Sequence, residues 1–289
     1  MDDEARGLAS LQHGMGPGIT GNLAAQEAVV RRGVQRAAAQ GADFCLATGL
    51  DPEPRARIEQ LLARPIRLRK GNVLYRAGDR FNAIYAIRTG SSKTVLLARN
   101  GQEQVTGYHM AGEAIGTDGI GTGTYACQAT ALEDIAVCRL PFDEVEDLAR
   151  SSDQFRHNLY ALLCQENARA QSLMIVLGTM RAEQRLAVYL LDLSGRHQAC
   201  GYSSCEFVLR MSRREIGSYL GLTLETVSRL FSQFTRDGLI QVGGQGRTVK
   251  FLDRAAVNQL VEGGRQLTHA NIGASRPAKA QPVARWSAQ

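Results

Sequence analysis

The arrangement of apolar and polar positions changes character along the chain, and each change marks a different kind of element. Between Arg67 and Leu140 the apolar residues fall in short β-type runs: Asn72-Val73-Leu74-Tyr75, Ala83 to Ile87, Thr94 to Leu97, Gln104 to Tyr108 and Ile135 to Leu140. Turn signals at Gly78-Asp79, Asn100-Gly101 and Gly112 divide these runs at the spacing of a compact antiparallel barrel or jelly roll. After Pro141 the period lengthens. Leu159, Leu162, Leu163, Leu173, Met174, Leu177 and Met180 recur at intervals of three and four, which predicts a long amphipathic helix.

From Met211 to Phe251 two short helical patterns meet at a tight turn. Ser212 is placed to N-cap a helix ending at Leu220, Gly221-Leu222-Thr223 makes the turn, and Thr223 caps a second helix. In that helix Val227, Leu230, Phe231 and Phe234 keep the spacing of a buried face, leaving Glu225, Ser228, Arg229, Ser232 and Arg236 outside. Gly238 ends it. Leu239 to Val242, the turn Gly243-Gly244-Gln245-Gly246 and Arg247 to Leu252 then predict a two-stranded wing. The whole reads as an α+β chain with five parts. These are a mobile arm (1–43), a β-roll sensor (44–145), a dimerisation helix (146–181), a winged helix-turn-helix (182–255), and a helix remnant with a disordered tail (256–289).

The helical stripe suits packing on the chain's own barrel or a seam with a second copy. The homodimer reading rests on Ala170, Leu173, Met174, Leu177 and Met180: alanine at the centre lets two helices approach, where an unpaired buried acid would be costly.

Composition narrows the function. At 289 residues and 44% hydrophobic content there is enough chain for two modest cores. No apolar run approaches the roughly 18 residues of a membrane span, and the start has no signal-peptide pattern, so the expectation is a cytoplasmic protein with no membrane partner. A net charge of +6 favours a polyanion such as double-stranded DNA. The basic side chains Arg213, Arg214, Arg229, Arg236, Arg247 and Lys250 outnumber the acids of the helix-turn-helix, as phosphate contact requires. Six cysteines are scattered without a CxxC pair and read as cytosolic thiols. The five histidines offer no His-x-His pair for a metal, which argues against a cupin-like enzyme, so no catalytic residue is assigned. An architectural DNA binder or a signalling module without promoter specificity is the remaining rival.

The N-terminal turn of the second helix is where base contacts belong. Arg229 can donate a bidentate pair to guanine, and Glu225 can accept from a cytosine amino group. The same i, i+4 spacing also suits a solvated ion pair.

Several strings resemble the CRP/FNR superfamily, in the branch of the fumarate and nitrate reduction regulator, over roughly Leu46 to Leu252. They are Tyr85-Ala86-Ile87-Arg88-Thr89-Gly90, Gln104-Val105-Thr106-Gly107-Tyr108-His109, Pro141-Phe142, Glu183-Gln184-Arg185-Leu186-Ala187, and above all Tyr219 to Leu230. The resemblance implies a cyclic-nucleotide-binding-like jelly roll and a homodimer on an inverted repeat that recruits or blocks RNA polymerase. It implies that Glu225, Ser228 and Arg229 read a TTGAT-type half-site with Leu224 beside them. Ser212, Arg213, Thr223 and Thr226 would lie near phosphates.

Oxygen-sensing relatives hold a [4Fe-4S] cluster, in which each iron takes one thiolate. Only Cys45 and Cys138 fall where such ligands lie, so these are at most redox or cluster remnants and a conventional cluster is not expected. Relatives that bind cyclic AMP use an acid for the ribose and an Arg-Ser pair for the phosphate. Thr117 and Tyr125-Ala126 stand at those positions, so cyclic nucleotide is not expected either. His109 lies in a family-typical strand and reads as structural rather than as a haem ligand. A constitutive or weakly gated dimer without cofactor is the expectation, and a redox-, haem- or cluster-responsive regulator of anaerobic or microaerobic metabolism is the alternative.

Overall fold

The computed structural model describes residues 44–98 and 101–263; the expected arm and most of the expected tail lie outside the described residues. A 3-10 turn, Cys45–Ala47, precedes helix α1 (Pro52–Leu62), which begins with a proline just after Asp51. The sensor strands follow: β1 (Pro65–Leu68), β2 (Val73–Tyr75), β3 (Ala83–Thr89), β4 (Ser91–Leu97), β5 (Glu103–Met110), β6 (Ala114–Ile115), β7 (Gln128–Ala131) and β8 (Ile135–Pro141). They form two antiparallel four-stranded sheets, ordered β1-β8-β3-β6 and β2-β7-β4-β5. Alternation in β8 puts Ile135 and Val137 in the core inside the roll and Cys138 and Leu140 on the opposite face, against the helices.

Three elements of the roll were not foreseen. β1 and β6 carry too little alternation to stand out, and β7 reaches the core with only Ala129 and Ala131.

The expected single helix after Pro141 is two helices, α2 (Phe142–Ser151) and α3 (Asp153–Thr179). Ser152 lies between them in an extended conformation, and its hydroxyl accepts a hydrogen bond from the Phe155 N–H. That local bond starts a new helix more cheaply than continuing the old one. Phe155, Leu159 and Leu162 of α3 are buried with Phe44, Leu46, Leu50 and Leu148, so the first half of the stripe belongs to the sensor's own core.

The DNA-binding part contains α4 (Ala182–Ala199), β9 (Glu206–Val208), α5 (Arg213–Leu220), α6 (Leu224–Arg236), β10 (Ile240–Gly243), β11 (Thr248–Phe251) and α7 (Arg254–Val261). The predicted wing gains a third strand: the sheet order is β10-β11-β9. Leu186, Leu190 and Leu193 of α4 pack with Ile216, Val227, Phe234 and Leu260, and this core continues without a gap into Val95, Val105, Tyr108 and Leu132 of the roll. Sensor and DNA-binding parts therefore share buried surface.

Candidate nucleic-acid interface

Both predicted caps form. The Ser212 hydroxyl accepts from the Glu215 N–H at 3.3 Å while Glu215 Oε2 accepts from the Ser212 N–H at 2.7 Å, a reciprocal capping box. Thr223 Oγ1 accepts from the Thr226 N–H at 3.2 Å. The turn between them depends on two glycines. Gly221 adopts φ +62°, and a Cβ on Gly217 would stand 2.6 Å from the Leu222 carbonyl oxygen. With that clearance α5 and α6 cross closely.

Val227, Leu230, Phe231 and Phe234 are buried, and Leu224, Glu225, Ser228, Arg229, Ser232 and Arg236 are exposed. The structure thus brings Leu224, Glu225, Ser228 and Arg229 together on one outward face at the start of α6. Glu225 is held below the usual carboxylate range, first by its own backbone N–H and the Thr223 hydroxyl; Arg229 contributes less. The carboxylate is folded back on the helix N-terminus, where the dipole favours it.

Ser212, Thr223 and Thr226 border this face, with Thr226 half-buried. Arg213, expected beside phosphates, is engaged elsewhere. Its guanidinium lies 3.2 Å over the Phe231 ring and donates to the Gly246 carbonyl at the wing tip at 3.1 Å. Burial lowers its pKa to about 10. Arg214, Arg247 and Lys250 are exposed around the same face.

Of the expected seam, Ala170 and Met174 are exposed, Met174 by 64%, whereas Leu173, Leu177 and Met180 are half-buried. Leu177 leans on the helix-turn-helix: its Cδ2 stands 3.4 Å from where a Cβ on Gly221 would be. Arg185 of α4 closes this junction by donating to the carbonyls of Leu177, Met180 and Leu220.

A charge network that sequence reasoning missed joins the parts. Glu113, after β5, meets Arg196 of α4 at 2.6 Å and Arg169 of α3 at 3.0 Å. Arg196 Nη2 also donates to the Tyr108 carbonyl at 2.7 Å. Burial alone would raise the Glu113 pKa, but Arg169 and Arg196 hold it down to about 2. Nearby, Lys93 of β4 pairs with Glu215 at 2.6 Å, and the Val105 N–H donates to Ser218 Oγ at 2.9 Å. The one local signal for this network is that Arg196 continues the buried stripe of Leu186, Leu190 and Leu193, where an apolar residue is the norm.

The cysteines do not fit a four-iron cluster. Cys138 Sγ donates to the Leu62 carbonyl at 3.1 Å, and burial, then Glu113, push the Cys45 thiol up to about 12. Residues 1–43 hold no cysteine, and among the described residues no group of three His, Cys, Asp or Glu is placed to hold a metal. Burial also raises Cys127 and Cys200, so these are poor thiolates. His109 is buried, with Nε2 3.2 Å from Thr94 Oγ1 of the neighbouring strand β4.

Residues 184–260 match the family model described as Crp-like helix-turn-helix domain, and residues 65–152 match that of the cyclic nucleotide-binding domain. The transcriptional regulatory protein btr of Bordetella pertussis is 42% identical over 75% of this chain and 89% of its own length. The chain belongs to the CRP/FNR family of transcription regulators. It is a DNA-binding regulator of this family and not an enzyme. The transcriptional activator protein anr of Pseudomonas aeruginosa is 39% identical over 77% of this chain and 90% of its own. The fumarate and nitrate reduction regulatory protein of Salmonella typhi is 36% identical over 74% and 85%. Among solved structures, FixK2 from Bradyrhizobium japonicum superposes with a TM-score of 0.62 at 29% identity, covering 68% of this chain and 96% of that one. Among the described residues no helix is long and apolar enough to cross a membrane.

Proposed function

We propose that two copies of this CRP/FNR chain bind an inverted repeat of the TTGAT type, one half-site per α6, and act on transcription by recruiting or blocking RNA polymerase. The observation that carries this reading is the single outward face of Leu224, Glu225, Ser228 and Arg229 on a Thr223-capped helix whose opposite face is buried. A guanidinium there can bridge guanine O6 and N7, and a carboxylate can accept from cytosine N4. Ser212, Thr223 and Thr226, with the exposed cations Arg214, Arg247 and Lys250, supply the phosphate side. The copies meet along α3, where Ala170 and Met174 stand outward and Leu173, Leu177 and Met180 flank them.

Anisotropy titration against the palindrome and its single-base variants tests the reading. Arg229→Ala is expected to lose roughly 1–3 kcal/mol per half-site and with it the preference at one G·C pair. Full retention of that preference refutes the assignment.

Relatives named for anaerobic regulation and for fumarate and nitrate reduction support a role in controlling anaerobic or microaerobic metabolism from the cytoplasm. In this chain the signal does not pass through four thiolates of its own. Protein purified in air is expected to bind the palindrome as tightly as protein purified without oxygen. Stoichiometric iron and sulfide lost in air together with DNA affinity would overturn this.

A further inference from the structure

At the mouth of the roll a 3-10 turn, Thr117–Gly119, faces the chain entering β7. One oxygen of Asp118, Oδ2, accepts from the N–H of Ala126 and from the N–H of Cys127, both at 2.8 Å. Two successive amides converging on one anionic oxygen make an anion-binding concavity. The concavity lies within residues 65–152, which match the family model of the cyclic nucleotide-binding domain.

The space behind the mouth is filled by side chains. Tyr125 stacks on Tyr75 at 4.0 Å between ring centroids, Tyr75 on Tyr85 at 5.8 Å, and Phe81 meets Tyr125 edge-on at 5.4 Å. The Tyr125 hydroxyl donates to the Ala83 carbonyl at 2.7 Å, which fixes the column to β3. All three tyrosines are buried. A purine or ribose entering the roll would have to displace them.

We propose that Asp118 is a built-in anion: its carboxylate takes, on the Ala126 and Cys127 amides, the place of a ligand phosphate. With the tyrosine column filling the space behind it, the roll is thereby closed to cyclic nucleotides. The corollary is positive. Removing the carboxylate leaves two converging N–H groups without an acceptor and creates a site for a small oxyanion. This inference does not depend on how α6 reads DNA.

The test is thermal melting of the full-length protein and of Asp118→Ala and Asp118→Asn, each in inorganic phosphate or in chloride at matched ionic strength. Asp118→Ala is expected to melt a few degrees below the wild type in chloride, and phosphate is expected to restore most of that loss. Phosphate also meets the basic face around α6, so the quantity read is the extra shift of the variant over the wild type. Asp118→Asn keeps an acceptor without the charge and is expected to fall between the two. Calorimetry of the wild type with cyclic AMP is expected to show no binding. The proposal fails if Asp118→Ala melts with the wild type, or if phosphate shifts both equally. It fails also if the wild-type protein binds cyclic AMP, a result that stands even should Asp118→Ala not fold.

Discussion

Arg213 follows the Ser212 cap directly, yet both its partners come from elsewhere: the Phe231 ring in α6 and the Gly246 carbonyl, 33 residues away. A cation over an aromatic face and one hydrogen bond to a carbonyl are each worth roughly 1 kcal/mol. Arg213→Ala is therefore expected to lower the unfolding free energy by about 2 kcal/mol. It is also expected to weaken DNA binding evenly across sequences, because the wing loses its tie to α6 while Glu225, Ser228 and Arg229 are untouched. A denaturant titration and a set of base-substituted probes check the two halves. A loss confined to one base pair would contradict the positioning role. The contrast with its neighbours shows what a sequence discloses at this scale. Ser212 and Thr223 were legible as caps because a cap closes on a backbone N–H three residues on, inside the window that a reader scans. The partners of Arg213 are set by tertiary structure, which neither its charge nor the resemblance discloses.

Elements were legible where their pattern is strong. α6 places an apolar residue at every core position and was delimited to within a residue or two, whereas β7 builds its share of the roll from alanines that carry no strand signal. α3 shows a subtler failure: one stripe of apolar residues serves three different partners. Leu159 and Leu162 face the sensor core, Leu177 leans on Gly221, and Ala170 with Met174 is left outward. Periodicity gives the stripe but not its partition. The outward pair is the part available to a second copy. Ala170→Asp would set two carboxylates against each other across the proposed seam at a position exposed in one protomer. Light scattering at micromolar concentration is expected to show the wild type as a dimer and Ala170→Asp shifted toward monomer. An Ala170→Asp protein that stays fully dimeric would move the seam elsewhere on α3.

At the scale of the molecule the decisive feature is that the sensor, α3 and the DNA-binding part meet at one buried carboxylate. The side chains of Glu113 and Arg196 are only 10% and 9% exposed, and Arg169 completes the group from α3. Such a network adds little net stability over an apolar core, but removing one member strands the others, at a cost of roughly 3–5 kcal/mol. The pKa gives a similar figure: a fall from 4.5 to about 2, at about 1.4 kcal/mol per unit, amounts to roughly 3 kcal/mol. Because the folded-state pKa is depressed, this stabilisation is complete above pH 4.5 and is lost as the pH falls through about 2. Glu113→Gln is therefore expected to unfold at markedly lower urea than the wild type at neutral pH, with the gap narrowing as the pH falls from about 4.5 toward about 2. Adding Arg196→Met is expected to recover part of the loss, since it removes a buried guanidinium that has lost the Glu113 carboxylate. Strict additivity of the two changes would mean that the pair is not coupled. The same geometry bears on the proposed function, because Arg169 rides on α3 and Arg196 on α4, which packs against the helix-turn-helix. Together with Lys93–Glu215 and the Arg185 junction, they tie α6 to the sensor and to α3, and in the proposed dimer that tie would set the separation of the two copies of α6. Two half-sites about one DNA turn apart demand a defined separation. Glu113→Gln is accordingly expected to bind the best palindrome less tightly while tolerating altered spacers better than the wild type does. A titration across spacer lengths in which the variant keeps the sharp optimum of the wild type would show that Glu113 stabilises the fold without setting the reach of the dimer.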